Sequence, residues 1–517
     1  MSDHHIPPSG SALRRLAITL ATTGILAAAH GPAHAEEDTA GGASRDRMLE
    51  LLEKLKEKGV ITEEELGMLT TETPDERMRR RAEQRKKAQR EAEEQQKVEV
   101  AKDRFLGRFN NGISFETPDR RSGFTLGGRV HTDYRHYSQD TAASTFDMRR
   151  AYLTMQGKWN DYLTWDVTGD FAQTTATQLD VAWFNIAYSE SLQLRLGQFK
   201  MPFSIEELSS SRFLDFQERS LVNGLVPQKE RGMMLHGIPM PGVTYGVALS
   251  TGQGKNNNDL VAPRSNPDVV ARVSVNLAEL LDRQAMNVFH LGAAMTDGDL
   301  PTGFGLSQRT EARGLTFFNT AGFTGQDVHR RRYGIETMVA HGPVKFQAEF
   351  VQANYAGRSS AGTDFNRDIN AYYGELLWMI TGERYAEAYR NGVNGRIVPF
   401  SNFTPGSTDS WGAWEVGIRM SRYDASDFAS TNPVGTGVLA PASAPTGNAP
   451  FASTPTNQAT ALTLGLKWYW NPNLKFYLNY TRTKFGTPET VNLNYGGASS
   501  ITTDQEKAVT FRAALDF

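Results

Sequence analysis

The chain has 517 residues, a formal net charge of −3, 39% hydrophobic and 10% aromatic residues, 47 glycines and no cysteine. A single soluble core stops growing near about 250 to 300 residues, so this length implies several domains or a barrel. Lack of cysteine excludes a disulfide framework, a thiolate metal site and a cysteine nucleophile, and no run of about 18 apolar residues follows the N-terminal stretch, which excludes a helical membrane span in the mature chain.

At the N-terminus Arg14 and Arg15 precede an apolar run from Leu16 to Ala29, and Ala33-His34-Ala35 is a small-x-small site. This predicts a secretory signal over residues 1–35, cleaved after Ala35. Residues 36–44 suit a flexible start. Ser44 is expected to cap a helix through Met48, Leu51, Leu52 and Leu55, stopped by Gly59, and Thr62 with Glu65 forms a capping box before Leu66 and Leu69. From Pro74 to Glu99 nearly every residue is Arg, Lys, Glu, Gln or Ala, which reads as a charged helix, a weak coiled coil or a solvated linker. Residues 36–104 are therefore expected to form a periplasmic helical or coiled-coil segment, with 105–517 as a second domain.

Beyond about Phe105 the period changes from 3.6 to 2. Leu163, Trp165, Val167, Gly169 and Phe171 share one parity against Thr164, Asp166, Thr168 and Asp170, and the same split recurs over 462–470 and 474–480. A mean hydropathy of −0.47 fits strands with one face toward lipid and one toward water. Strands are expected near 124–135, 147–158, 162–172, 179–189, 192–199, 230–238, 243–250 and 267–277. Eight more follow near 286–296, 330–341, 343–355, 369–381, 411–423, 459–470, 473–485 and 505–517. Tight turns at Asn160-Asp161, Ser189-Glu190, Pro239–Gly242, His341-Gly342 and Asn471-Pro472 all follow even-numbered strands. Long connections such as 200–229, 297–329 and 424–458 follow odd ones. The fold class predicted is all-β, a 16-stranded antiparallel transmembrane barrel in a bacterial outer membrane, both ends periplasmic. Residues 310–320 look strand-like but would break the count, so they are assigned to a loop. The connection 382–410 is long for the short-turn side and is expected to fold into the lumen or under it. The last strand carries Val509, Phe511, Ala513, Leu515 and Phe517 on one parity and ends on the aromatic, as an outer-membrane strand does.

No Walker loop, His-Glu-x-x-His or Gly-x-Ser-x-Gly elbow occurs, so no catalytic residue, metal or cofactor is expected, and no nucleic-acid partner. A lumen of 16 strands is wide enough for solutes. Projection by parity places Arg129, Arg150, Arg195, Arg272, Lys345, Arg419, Lys467, Lys475 and Arg512 inside, where fixed cations favour anions. Asp166, Asp170, Glu336, Glu349, Glu375 and Glu415 project inward too, and beyond residue 100 basic and acidic residues balance at 39 each. Any anion preference must therefore come from local placement. The long connection after the fifth strand, with Lys200, Arg212, Arg219 and Lys229, is the expected constriction; a purely extracellular loop is the alternative.

The run Arg195-Leu-Gly-Gln-Phe-Lys-Met-Pro-Phe-Ser-Ile-Glu-Glu-Leu, continued by Phe216-Gln-Glu-Arg-Ser-Leu221, resembles the phosphate-selective porins O and P, as do Phe146-Asp-Met-Arg-Arg-Ala-Tyr-Leu and Leu126-Gly-Gly-Arg129. The resemblance covers roughly residues 105–517. It implies a homotrimeric anion channel with inward-folded loops and an arginine ladder leading to a lysine-containing constriction, and it points to Arg129, Arg149, Arg150 and Lys200. Parity puts Arg149 on the outer face unless a bulge turns it inward. The function expected is diffusion of small anions such as phosphate. The alternative is a structural anchor in outer-membrane lipid whose residues 45–100 bind periplasmic or cell-wall partners.

Overall fold

The computed structural model describes residues 40–71, 79, 83–91, 106–109, 112–138, 141–172, 178–260, 266–282, 287–301, 303–320, 326–358, 364–428, 456–493 and 499–517. The expected signal segment, and the charged stretch from Pro74 to Glu99 apart from helical residues 79 and 83–91, lie outside them.

Residues up to Ala101 form one unit and Lys102–Phe517 another. In the first, helix α1 spans Ala40–Glu57 and α2 spans Glu63–Thr71. Because α1 begins at Ala40, Ser44 lies inside the helix and is not its cap. Gly59 at φ 67° ends the turn after α1, and Val60 N–H donates to the Leu55 carbonyl at 2.9 Å. The capping box of α2 is formed: Thr62 N–H donates to Glu65 Oε2 at 2.7 Å and Glu65 N–H to Thr62 Oγ1 at 3.3 Å. Leu52 and Ile61 are buried in this pair.

The second unit is a closed antiparallel barrel of 16 strands. Its low side, named for β3 to β8 at 8 to 12 residues each and flanked by the longer β1 and β2, contains β1 Gly123–Ser138, β2 Thr145–Trp159, β3 Leu163–Asp170, β4 Gln178–Ala187, β5 Gln193–Lys200, β6 Lys229–Met240, β7 Val243–Ser250 and β8 Asp268–Asn276. The taller side contains β9 Asn287–Asp299, β10 Gln326–His341, β11 Val344–Arg358, β12 Asp364–Met379, β13 Ala413–Asp424, β14 Gln458–Tyr469, β15 Leu474–Leu493 and β16 Ser499–Asp516. β16 closes onto β1 in a register running from Lys507 opposite Ser138 to Asp516 opposite Arg129. Every strand expected from parity is present in the expected order, and residues 310–320 stand outside the wall.

Alternation places an apolar band outside. Leu153, Met155, Phe184, Met233, Leu235, Leu249, Leu464 and Phe511 are all exposed on the outer surface. The turn after β2 has Asn160 at φ 50° and Asp161 at φ 63°, a left-handed pair suited to a two-residue hairpin. A hairpin that parity did not reveal, Leu106–Phe109 with Ile113–Glu116, continues the wall below β16: Ile113 pairs opposite Leu126 and Glu116 opposite Gly123. Four-residue strands are too short to display a period.

Three connections turn into the barrel. They are 201–228, the segment around Ser307–Arg309 and Thr316–Asn319, which pair only with each other, and 380–412 from the short-turn side. Phe317, Phe318, Leu306, Leu221 and Val222 of the first two pack against inward-facing Tyr355, Ile369, Tyr423 and Phe485, with Ala353, Ala371 and Ala461 leaving room for them. On this side the lumen holds an apolar core, because these strands carry apolar residues on both parities.

Candidate functional site

What the loops leave open is a cavity of about 1050 Å³ along the low wall, lined by residues of β1 to β8 and of loop 201–228. Two β-bulges shape it. On β1 and β2, His131 faces Arg150 and Thr132 faces Met148, so Arg149 has no partner and turns inward with Arg150. On β3 and β4, Thr168 faces Val181 and Gly169 faces Leu179, so Asp180 is likewise extra and points inward. Each bulge adds one charged side chain to the cavity that a strict period of two would send to lipid. On β5, Gly197 sits at φ 124°, and a Cβ there would lie 2.2 Å from the Ala182 carbonyl oxygen, so the glycine in Arg195-Leu-Gly-Gln-Phe-Lys is required by backbone approach.

Of the eleven cations expected along an anion path, Arg129, Arg149, Arg150, Arg195, Lys200 and Arg272 line the cavity, as do Arg212, Arg219 and Lys229 of the expected constriction. Arg129 lies 4.4 Å from the Tyr152 ring centroid and donates to Ser210 Oγ at 3.3 Å and Ser211 Oγ at 2.6 Å. Arg195 lies 4.2 Å from the Trp183 ring centroid. Arg150 keeps a buried Nη1 with no hydrogen-bond partner, and neither it nor Arg195 is within ion-pair distance of a carboxylate among the described residues. Arg149 donates to Glu218 Oε1 at 2.8 Å, and Arg272 pairs with Glu336.

Lys345, Arg419, Lys467, Lys475 and Arg512 do not line this cavity; they sit under the inward-folded loops. Arg419 meets Glu206 at 3.3 Å, Glu311 at 2.9 Å and Glu375 at 3.8 Å. Lys467 pairs with Glu415 and Lys345 with Asp215, both at 2.6 Å. Arg512 bridges Asp133 at 2.6 Å and Glu218 at 2.8 Å, and Lys475 lies 3.9 Å from Asp516. The inward carboxylates Glu336, Glu375 and Glu415 are thus partners of cations, and Glu349 Oε1 accepts Glu206 N–H at 2.9 Å and the Tyr373 hydroxyl at 2.8 Å. Asp166 and Asp170 remain beside the cavity.

The loop expected to form the constriction uses its cations on itself and on the adjoining wall. Lys200 Nζ donates to the carbonyls of Glu207, Leu208 at 3.2 Å and Ser209 at 2.8 Å, closing the short helix Ile205–Leu208. Arg219 reaches the carbonyls of Glu206, Glu207 and Ser209 and pairs with Glu207 at 3.2 Å. Lys229 pairs with Asp180 at 2.6 Å, and Arg212 reaches the Gly128 carbonyl at 3.4 Å. Burial pulls the Arg212 guanidinium down to about 10, so it stays charged at neutral pH. Burial pushes the Glu218 carboxyl up, but Arg149, Arg512 and Arg313 outweigh it and hold it well below the usual carboxylate range.

Sequence reading missed several groups at the cavity. Asp180 was hidden by its bulge. Arg330 and Arg332 share the parity of Glu336 on β10 and could have been found by extending that projection. Tyr152 and Trp183 carry no charge and drew no notice.

The family model for the phosphate-selective porins O and P matches residues 124–492. Porin O of Pseudomonas aeruginosa is 25% identical over 408 residues, covering 72% of this chain and 85% of that protein. Among solved structures, OmpT, an outer membrane protein of Vibrio cholerae, is similar with a TM-score of 0.44 and 9% identity over 79% of this chain and 99% of that one. OprB of Pseudomonas putida is similar with a TM-score of 0.41 and 11% identity over 77% of this chain and 95% of that one. With the family model spanning well over half of its length, the chain belongs to the phosphate-selective porin O and P family.

Proposed function

We propose that the protein is an outer-membrane porin through which small anions, phosphate among them, diffuse along the low-wall cavity. One observation carries this path: Arg129, Arg150, Arg195 and Arg212 face a single cavity with no carboxylate in ion-pair distance among the described residues. Fixed unneutralised guanidiniums lower the energy of an anion along the path and match oxyanion geometry bidentately. In this reading Lys200, Arg219 and Lys229 hold the constriction loop in place and add to its positive field, while Lys345, Arg419, Lys467, Lys475 and Arg512 anchor the loops on the far side.

The family resemblance supports a homotrimer, and the wall suggests where copies meet. β3, β5 and β7 have 8 residues each, below the roughly 9 to 11 that a tilted strand needs to cross a bilayer. Such a low wall suits contact with other copies more than with lipid. Short turns face the periplasm in outer-membrane barrels, which supports reading residues 36–104 as a periplasmic segment, and the charged and apolar pattern at the start of the chain supports reading 1–35 as an export signal. The test of the path is the reversal potential of the reconstituted protein across a KCl gradient in planar bilayers. An anion-dominated current that phosphate reduces is expected; a cation-dominated current would overturn the proposal.

A further inference from the structure

The cavity contains a feature that inorganic oxyanions do not call for. Two of its guanidiniums, neither in ion-pair distance of a carboxylate among the described residues, lie over aromatic rings of the wall, Arg195 at 4.2 Å over Trp183 and Arg129 at 4.4 Å over Tyr152. The Nε of each is buried without a hydrogen-bond partner. Ring and guanidinium line the same open space in both pairs. Beside Arg195 runs a hydrogen-bonded line of uncharged partners, with His236 Nε2 2.7 Å from Asn185 Oδ1 and Asn185 Nδ2 donating to Gln193 Oε1 at 2.9 Å, and Asp166, the acid that acts on Arg195 across the cavity, stays beyond ion-pair distance.

A guanidinium whose one face is covered by an aromatic ring presents its other face as a planar cation, which attracts the π cloud of a second ring. At about 1050 Å³ the cavity also exceeds what a single phosphate fills and lies at the upper end of the range, about 300 to 1,000 Å³, typical of organic ligands. We propose that the two aromatic-backed guanidiniums, Arg195 on Trp183 and Arg129 on Tyr152, form a subsite for planar aryl carboxylates, which pass the channel with the ring on one guanidinium plate and the carboxylate on a neighbouring guanidinium. This rests on the reading of the cavity as an anion path and adds the class of organic anion it takes.

The test compares two monoanions of similar size, benzoate, which has a π face, and cyclohexanecarboxylate, which has none, as blockers of KCl current through the full-length protein in planar bilayers. Benzoate should reach half block at a concentration lower by on the order of five- to tenfold, since aromatic and cation–π contacts supply the difference. Trp183→Leu should bring the two blockers within about twofold, and Trp183→Tyr, which keeps a ring under Arg195, should retain most of the preference. Equal block by the two anions in the unaltered protein overturns the proposal, whatever the variants do, and so does a preference that survives Trp183→Leu. The reversal potential of the unaltered protein in the same membranes keeps the two readings apart. An anion-dominated current without benzoate preference removes only the aryl subsite, whereas a cation-dominated current removes the anion path itself.

Discussion

On the taller side of the lumen Arg419 meets three carboxylates, Lys467 and Lys345 one each, and Arg512 two, all nearly closed to solvent. On the low side Arg129, Arg150 and Arg195 meet none, though they come from the same kind of strand with the same inward parity. The difference lies in what the loops bring. Loops 201–228 and 300–320 carry Glu206, Asp215, Glu218 and Glu311 to the tall wall and pack Phe317 and Phe318 beneath them. Toward Arg129 on the low wall loop 201–228 turns the hydroxyls of Ser210 and Ser211, while its carboxylates on that side are taken up by other cations, Glu218 by Arg149 and Glu207 by Arg219 and Lys200. Buried ion pairs give little net stability but are costly to break singly, so the tall side is a latch. Unpaired guanidiniums are tolerable only where water or a passing anion solvates them, so the low side is the conduit. Inward parity alone therefore does not mark an ion path; the loop opposite decides.

The sharpest way to break this comparison is to reverse charge on one side at a time. Arg129→Glu combined with Arg150→Glu should invert the sign of the reversal potential in a KCl gradient, because both changes fall on cations with no compensating carboxylate. A potential that keeps its sign would mean that ions pass elsewhere.

On the tall side, Arg419→Gln leaves Glu206, Glu311 and Glu375 facing one another without their shared cation. The expected cost is about 3–5 kcal/mol, read as earlier unfolding in a heat-modifiability gel, while the sign of the reversal potential is kept. If Arg419→Gln instead weakens anion preference without destabilising the barrel, the division between latch and conduit fails.

The wall was legible in the sequence because lipid and water impose a period of two on every strand, and turn chemistry at Asn160-Asp161 and His341-Gly342 fixed the direction. Arg149 shows the limit: a single extra residue on β2 inverts the face, and nothing in Phe-Asp-Met-Arg-Arg says which residue will be skipped. Lys200 shows another. Its charge and position were readable, but all three of its donors go to carbonyls seven to nine residues away, a destination set by how the loop folds. The apolar core under loop 300–320 left a trace, since Tyr355, Ile369 and Tyr423 sit on the parity assigned to water. Which carboxylate finds which cation is a tertiary outcome with no local signal.

The smallest effect is one that should vanish at neutral pH and appears only in acid. Three carboxyls of loop 201–228, Glu207, Asp215 and Glu218, are each pushed up by burial and pulled further down by cations, Arg219 and Lys200 for the first, Lys345 for the second, Arg149 and Arg512 for the third. A carboxyl depressed in the folded state stabilises at any pH above its unfolded value, near 4.3 for glutamate, and that contribution is lost only as pH falls through the depressed value. Single-channel conductance should thus be flat from pH 7 down to about 5, where these groups remain ionised in both states, and become irregular below about 4 as the loop loses its hold. A change between pH 7 and 5 would mean that another group governs the loop. Glu218→Gln, which removes the negative charge shared by Arg149 and Arg512, should bring to neutral pH the irregular conductance that the unaltered channel shows only in acid, because at every pH Arg149 loses its carboxylate partner and Arg512 keeps only Asp133.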